Sequence, residues 1–379
     1  MRSSDDDGDP KLPHDIVVEV LKRLPVKSLL RCRCVCRSWR STMDDPRFVA
    51  LHLSHSALDA SNCYLVCLDW CRHLCSLFSN ESLTLPSRSQ IEVPFVTPAG
   101  RYDFVGSCNG LICIAELSRN GFSQAMYLWN LFTGKHKAVP QSGLGHQFFS
   151  METAYESLGF GFDAGSNDYK IVKILCFEDD NGQCFGGPNP RVEIYSLSTD
   201  SWRSLECEVP VFYDNGSAVF LNGNLPWIAF KFDVVWDEGR YGSMVLFDVA
   251  GEVFDEMDLP EEILHMDNGG LIAYVAVVND LLAVFVNIID AVMHPESHSI
   301  CSVWVTREYG VLESWTKLNS FEACGLVTGF DGFARNGEPL MEINEEERVS
   351  WDPITGHCAN LPLSTQCKLV TVIESLVSP

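Results

Sequence analysis

The sequence predicts a small all-α unit of three helices followed by an all-β domain, a β-propeller of about six blades. Two observations carry this. Residues 11–48 are basic and repeat apolar residues at helical spacing, whereas the chain beyond them is acidic. Within the acidic part, Asn-Gly and Asn-Asp pairs recur at nearly constant intervals.

Residues 1–10 are polar with a net charge of −3 and are expected to be a disordered acidic tail. They hold no apolar run, so no secretory signal is expected. Residues 11–48 carry nine Lys or Arg against four acids, a net charge of +5. In this stretch Ile16, Val17, Val20, Leu21 and Leu24 fall on one helical face. Pro13 suits a first turn, and Pro25 stops the helix because it has no N–H and clashes with the preceding turn. A second helix is expected from Val26 with Leu29 and Leu30 inward. A third is expected from Arg33 to Met43 with Val35, Cys36 and Trp39 on one side, ended by Asp44-Asp45-Pro46. Residues 11–50 therefore form one unit, with 51–62 a connector. About forty residues make a poor independent core, so apolar residues on more than one face predict a partner. The positive charge predicts that the partner is acidic.

From residue 63 to 379 the pattern is that of strands. The pairs Asn109-Gly110, Asn167-Asp168, Asn222-Gly223, Asn279-Asp280 and Asn336-Gly337 are separated by 58, 55, 57 and 57 residues. Each is followed by a second turn, as in Trp129-Asn130-Leu131-Phe132-Thr133-Gly134 and Trp351-Asp352-Pro353-Ile354-Thr355-Gly356. Two hairpins per period give four strands, the blade of a propeller, and six such units fit. The segment from Cys367 to Val377 reads as a strand that closes the ring beside Tyr64 to Leu68, which removes a sheet edge. A pair of β-sandwich sheets gives similar turns without a fixed period and ranks second.

Composition excludes several classes. A net charge of −24 speaks against nucleic acid or an anionic membrane as the main partner. The most membrane-like stretch, residues 272–293, contains Asn279, Asp280, Asn287 and Asp290 and reads as two strands around a turn, so a soluble chain is expected. Sixteen cysteines without a signal imply free thiols in a reducing compartment, cytoplasmic, nuclear or both. Cys63, Cys67, Cys71 and Cys75 recur every fourth residue, but they read as a β-hairpin with buried thiols rather than a zinc knuckle. Gly159-Phe160-Gly161-Phe162-Asp163 lacks the third glycine of a dinucleotide fingerprint and reads as strand. His294 and His298 flank Pro295, which makes a loop of them. No catalytic residue, metal site or cofactor is expected.

The stretch Leu12-Pro13-His14-Asp15-Ile16-Val17-Val18-Glu19-Val20-Leu21-Lys22-Arg23-Leu24-Pro25, continuing through Val26, Leu29, Arg33-Cys34-Val35-Cys36-Arg37-Ser38-Trp39 and Asp45-Pro46-Arg47-Phe48, resembles an F-box along its whole length. Ser107-Cys108-Asn109-Gly110-Leu111, Gly159-Phe160-Gly161-Phe162-Asp163, Ser201-Trp202-Arg203, Glu313-Ser314-Trp315 and Ile373-Glu374-Ser375-Leu376-Val377-Ser378 then resemble, in order, the F-box-associated (F-box/kelch-type) domain of plant F-box proteins. Trp129-Asn130-Leu131 stands where that family usually has Trp-Asn-Pro. Its kelch-like glycine doublets are nearly absent, since Gly186-Gly187 and Gly269-Gly270 are not equivalent in the repeat.

The resemblance implies the substrate receptor of an SCF-type (Skp–cullin–F-box) ubiquitin ligase. It implies contact with an acidic Skp-type adaptor, and through it cullin, by Leu12, Pro13, Ile16, Val20, Leu21, Leu24, Pro25, Val26, Leu29, Val35 and Trp39, some of which serve the module's own core. The propeller would hold an unknown protein substrate, and the chain would do no chemistry of its own. Residues 141–154, 178–191 and 233–242 are the longest irregular segments and the candidates for substrate contact. The alternative is an enzyme or small-ligand binder on a propeller, localised or turned over through its F-box.

Overall fold

A computed structural model describes residues 12–69, 74–80, 83, 90–97, 100–118, 122–144, 154–177, 190–209, 217–232, 240–264, 269–290, 298–363 and 367–379. The expected acidic tail lies outside them. Four helices open the chain: α1 (His14–Leu21), α2 (Val26–Cys32), α3 (Arg37–Asp44) and α4 (Pro46–Leu58). Among the described residues no helix is long and apolar enough to cross a membrane.

Pro13 and Pro25 stand at the N-caps of α1 and α2, where the fixed φ of proline suits the entry and its missing N–H costs nothing. The third helix starts four residues later than expected. Cys36 is its N-cap, with Sγ accepting from the Trp39 N–H at 3.5 Å, so Val35 lies in the preceding turn. Asp44-Asp45-Pro46 ends α3 as expected but also begins α4. The Asp45 carboxylate accepts from the Arg47 N–H at 2.9 Å, and Pro46 takes the first turn. The expected connector, residues 51–62, therefore holds most of a helix and a 3-10 turn, Ala60–Asn62.

Leu21, Leu29, Met43 and Phe48 form the core of this module, with Val17, Val18, Leu24, Cys32 and Trp39 packed around them. Each fully buried Leu contributes about 1.5–3 kcal/mol, too little in total for so small a core to be self-sufficient.

The remainder is a six-bladed propeller. Blade one holds β1 (Cys63–Asp69), β2 (Leu74–Ser79) and β3 (Gln90–Glu92). Blade two holds β4 (Arg101–Cys108), β5 (Leu111–Leu117), β6 (Ser123–Asn130) and β7 (Lys135–Val139). Blade three holds β8 (Ala154–Asp163), β9 (Asp168–Phe177), β10 (Arg191–Ser196) and β11 (Ser201–Leu205). Blade four holds β12 (Asn224–Phe232), β13 (Arg240–Asp248) and β14 (Val253–Asp258), and among the described residues just before β12, Ser217 and Leu221 make isolated bridges to Leu158 and Asn224. Blade five holds β15 (Gly269–Val278), β16 (Leu281–Asp290), β17 (Ile300–Thr306) and β18 (Trp315–Glu322). Blade six holds β19 (Val327–Phe333), β20 (Pro339–Ile343), β21 (Glu347–Trp351) and β22 (Cys358–Asn360). The last strand, β23 (Cys367–Ile373), returns to blade one and pairs antiparallel with β1, Cys63 opposite Ile373. The ring is thus closed by the strand and partner expected from sequence, and β23, β4, β8, β12, β15 and β19 touch in cyclic order.

The cysteine-rich hairpin pairs Leu65 with Phe78, with Cys63, Cys67 and Cys75 buried; Cys71 lies outside the described residues. Residues 269–290 form the expected strand pair around Asn279-Asp280. The repeated pairs mark the turn between the two innermost strands of a blade. Asn109, Asn167, Asn222 and Asn279 all adopt φ between 50° and 54°, the left-handed conformation that Asn tolerates.

Blades are joined by polar contacts as well as apolar ones. Trp227 Nε1 of blade four donates to Leu158 O of blade three at 3.2 Å. The indole fits because residue 159 is glycine, where a Cβ would lie 2.9 Å from Trp227. Lys173 Nζ meets Glu156 Oε1 at 2.6 Å, and Glu156 also accepts from the Ser123 N–H and Oγ of blade two.

Lys170 Nζ donates to Asp163 Oδ2 at 2.9 Å and crosses to Val249 O and Glu252 of blade four. The Lys170 ammonium and the Ser166 hydroxyl hold the Asp163 carboxyl well below the usual carboxylate range. A depressed folded-state pKa gives stability that is present above the ordinary aspartate pKa of about 4 and lost as pH falls below it. Asp163→Asn is therefore expected to lower the urea midpoint at pH 7 and to match the parent more nearly at pH 3. An equal deficit at both pH values would contradict the assignment.

Candidate docking interface

Every inner strand runs in the same sense around the ring, so the turns at Asn109, Asn167, Asn222, Asn279 and Asn336 gather at one end of the propeller. In blade one that end is where the chain enters at Cys63 and leaves β23 at Ile373. The four helices sit there. Val49 and Leu53 of α4 pack on the apolar core between blades two and three, beside Val105, Cys108 and Phe160. His52, buried, meets Leu24 O through Nε2 at 3.1 Å, which ties α4 to the end of α1; burial pushes its pKa down.

Docked in this way, α1 is apolar on two sides. Val17, Val18 and Leu21 face the module's core. On the outside, Ile16 and Val20, one helical turn apart, are 48% and 53% exposed, and Leu12, two residues ahead of α1, extends this apolar stripe at 67% exposed. Val35 joins the exposed set from the α2–α3 turn, and Pro13 and Pro25 are exposed with it. Lys27, Arg31, Arg37 and Arg40 of the same module are exposed and supply positive charge to its surface.

The structure divides the expected contact residues. Leu12, Pro13, Ile16, Val20, Pro25 and Val35 are available to a partner. Leu21, Val26 and Leu29 are no more than 2% exposed and belong to the interior, so they are among the residues expected to serve the module's own core. Leu24 and Trp39 are half-buried against the same core. The apolar pattern could not separate them, because α1 is apolar on its inner and its outer face alike.

Sequence reasoning also missed what lies beneath the module. After Ile373 the chain leaves the sheet and runs between helices and propeller. Glu374 Oε1 accepts from the Val26 N–H at 2.7 Å, and Leu376 enters the helical core. Asn130 Nδ2 donates to Ser375 O at 2.9 Å and Val377 O at 2.7 Å. Gly110, at φ 82°, lies so close that a Cβ there would be 2.3 Å from Ser375 Oγ. The terminal motif was visible in the sequence, but its contacts were not.

The substrate candidates fall mostly outside the described residues, yet their flanking strand ends are placed. β7 ends and β8 begins, β9 ends and β10 begins, and β12 ends and β13 begins, all at the end of the ring away from the helices. His298, read as a loop residue, pairs with Glu322 at 3.0 Å, while His294 lies outside the described residues.

The chain is a helical module with an exposed apolar stripe, seated on a closed six-bladed ring. Residues 10–51 match the F-box domain and residues 71–351 the F-box associated beta propeller domain, so the chain belongs to the plant F-box proteins that carry this propeller. It is 28% identical over 394 residues to the F-box protein At3g07870 of Arabidopsis thaliana, covering 93% of this chain and 88% of that one. It is 27% identical over 350 residues to the F-box protein CPR1 of Arabidopsis thaliana, covering 89% of this chain and 78% of that one. Among solved structures, puromycin hydrolase overlaps at a TM-score of 0.40 with 13% identity, over 69% of this chain and 39% of that one, a likeness too slight to carry an argument.

Proposed function

We propose that this chain is the substrate-recognition subunit of an SCF-type ubiquitin ligase. The exposed stripe of Leu12, Ile16 and Val20, together with exposed Val35 and the exposed basic side chains of the same module, docks on the acidic Skp-type adaptor, and cullin is reached through that adaptor. The protein to be ubiquitinated binds the end of the propeller away from the helices. That end is farthest from the adaptor, and the strand ends that flank residues 141–154, 178–191 and 233–242 lie there. On this reading the chain does no chemistry. It raises the effective concentration of a target lysine near a ubiquitin-charged enzyme held elsewhere on the cullin, in the cytoplasm or nucleus.

The observation that carries the reading is the stripe itself: Ile16 and Val20 of α1, with Leu12 just ahead of it, are exposed, while Val17, Val18 and Leu21 pack against the module's core. Replacing Ile16 and Val20 with Asp places two charges in the apolar centre of the interface without touching the module's core. Adaptor affinity is expected to fall about 100-fold or more while the melting temperature stays within about 2 °C, in line with the loss of central apolar anchors. Co-purification of the parent and the double variant with a Skp-type adaptor measures this. Equal recovery of the two would overturn the assignment of the stripe.

A further inference from the structure

The residues that follow β23 touch the two halves of the protein alternately. Glu374 and Leu376 face the helices, and Ser375 and Val377 face the propeller, the period of two that an extended chain imposes. On the helical side, Glu374 is buried and accepts from Val26, the first residue of α2. Pro25, the N-cap, has no side-chain acceptor, so the first turn of α2 takes its cap from a residue 348 positions away. Leu376 fills the core beside Leu21, Leu29, Met43 and Phe48.

On the propeller side, Asn130 grips the backbone at Ser375 and Val377, and it is itself fixed because Oδ1 accepts from the Phe132 N–H at 2.9 Å and the Thr133 N–H at 3.1 Å. Val377 packs in the core between blades two and three, which α4 also touches through Val49 and Leu53. The Glu374 N–H donates to Asn62 O at 2.9 Å, so the strip is also tied to the covalent junction between helices and ring.

We propose that residues 374–378 are a clasp that fixes the direction of the helical module on the propeller, with Glu374 as its positioning residue. Without the clasp, the 3-10 turn Ala60–Asn62 and the packing of α4 are left to hold the two halves together. With it, the adaptor-docking stripe and the far end of the ring are held at a fixed separation and angle. The consequence for ubiquitin transfer rests on the proposed ligase role; the clasp itself does not.

The test is amide hydrogen exchange on the full chain alone, followed by mass spectrometry, for the parent, Glu374→Ala and Glu374→Gln. The Ala variant removes the acceptor of the Val26 N–H, whereas Gln keeps an oxygen in its place. Exchange in α1 and α2 is expected to quicken tenfold or more in Glu374→Ala, with β4, β5, β8 and β9 unchanged, and to return towards the parent rate in Glu374→Gln. Unchanged exchange in α1 and α2 of Glu374→Ala would overturn the proposal. So would faster exchange spread evenly over helices and strands, or a Gln variant no better than Ala. No adaptor is present, so the clasp stands or falls on these rates whether or not the chain binds one.

Discussion

Replacing Lys173 with Met is expected to lower the unfolding free energy by about 3–5 kcal/mol, because it leaves the Glu156 carboxylate buried without its counter-charge. Lys173 and Glu156 side chains are 2% and 4% exposed and lie 2.6 Å apart, on neighbouring strands of blade three, and Ser123 of blade two supplies the remaining donors. The cost comes from desolvation rather than from the lost attraction. Adding Glu156→Gln to Lys173→Met removes the stranded charge and leaves an oxygen for the Ser123 N–H, so the double variant is expected to recover most of the loss. Urea titrations of the two variants and the parent measure both steps. A double variant no more stable than Lys173→Met alone would show that the pair matters through packing and not through charge.

Trp227→Ala is expected to cost a further class of contact, about 3–5 kcal/mol for removal of a fully enclosed indole. Trp227 is 1% exposed, it lies in the core shared by blades three and four, and its N–H bonds across the blade boundary to Leu158 O. The close approach at Gly159 leaves little room for neighbours to fill the vacated space. The loss should appear as a single cooperative shift of the denaturation midpoint, since the ring is closed and a weakened boundary between two blades strains all the others. A separate early transition confined to blades three and four would contradict that.

The ring was legible because its signals are local. A tight turn that needs positive φ selects Asn and Gly wherever it occurs, so the five inner hairpins announced themselves at near-equal spacing. Closure by the strand after residue 366 was legible too, because an apolar alternating run late in the chain has a natural place against the first strand. The helical module was legible in kind and blurred in detail. Pro46 is a helix stop and a helix start, and only the start explains α4. Cys32, Cys34 and Cys36 give no helical phase, so the apolar pattern alone sets the start of α3 too early, at Arg33.

What stayed hidden were partners distant along the chain. Nothing near Glu374 announces a helix N-terminus at Val26. Nor does anything near Lys173 distinguish a buried lysine from an exposed one on an alternating strand. The division of the F-box apolar residues into core and stripe likewise depends on where α4 and residues 374–378 lie. Leu21 and Leu29 are covered from one side by helices, and Leu376 completes that cover, while Ile16 and Val20 are left about half exposed.

The proposed ligase role stands on the outer stripe of α1 as the docking face for a Skp-type adaptor. Its most direct test is a calorimetric titration of the purified adaptor into the full chain, with the melting temperature of the chain recorded first. Saturable binding at one adaptor per chain, with the negative heat-capacity change of apolar burial, is the predicted result. A well-folded chain that takes up no adaptor at micromolar concentrations would contradict it.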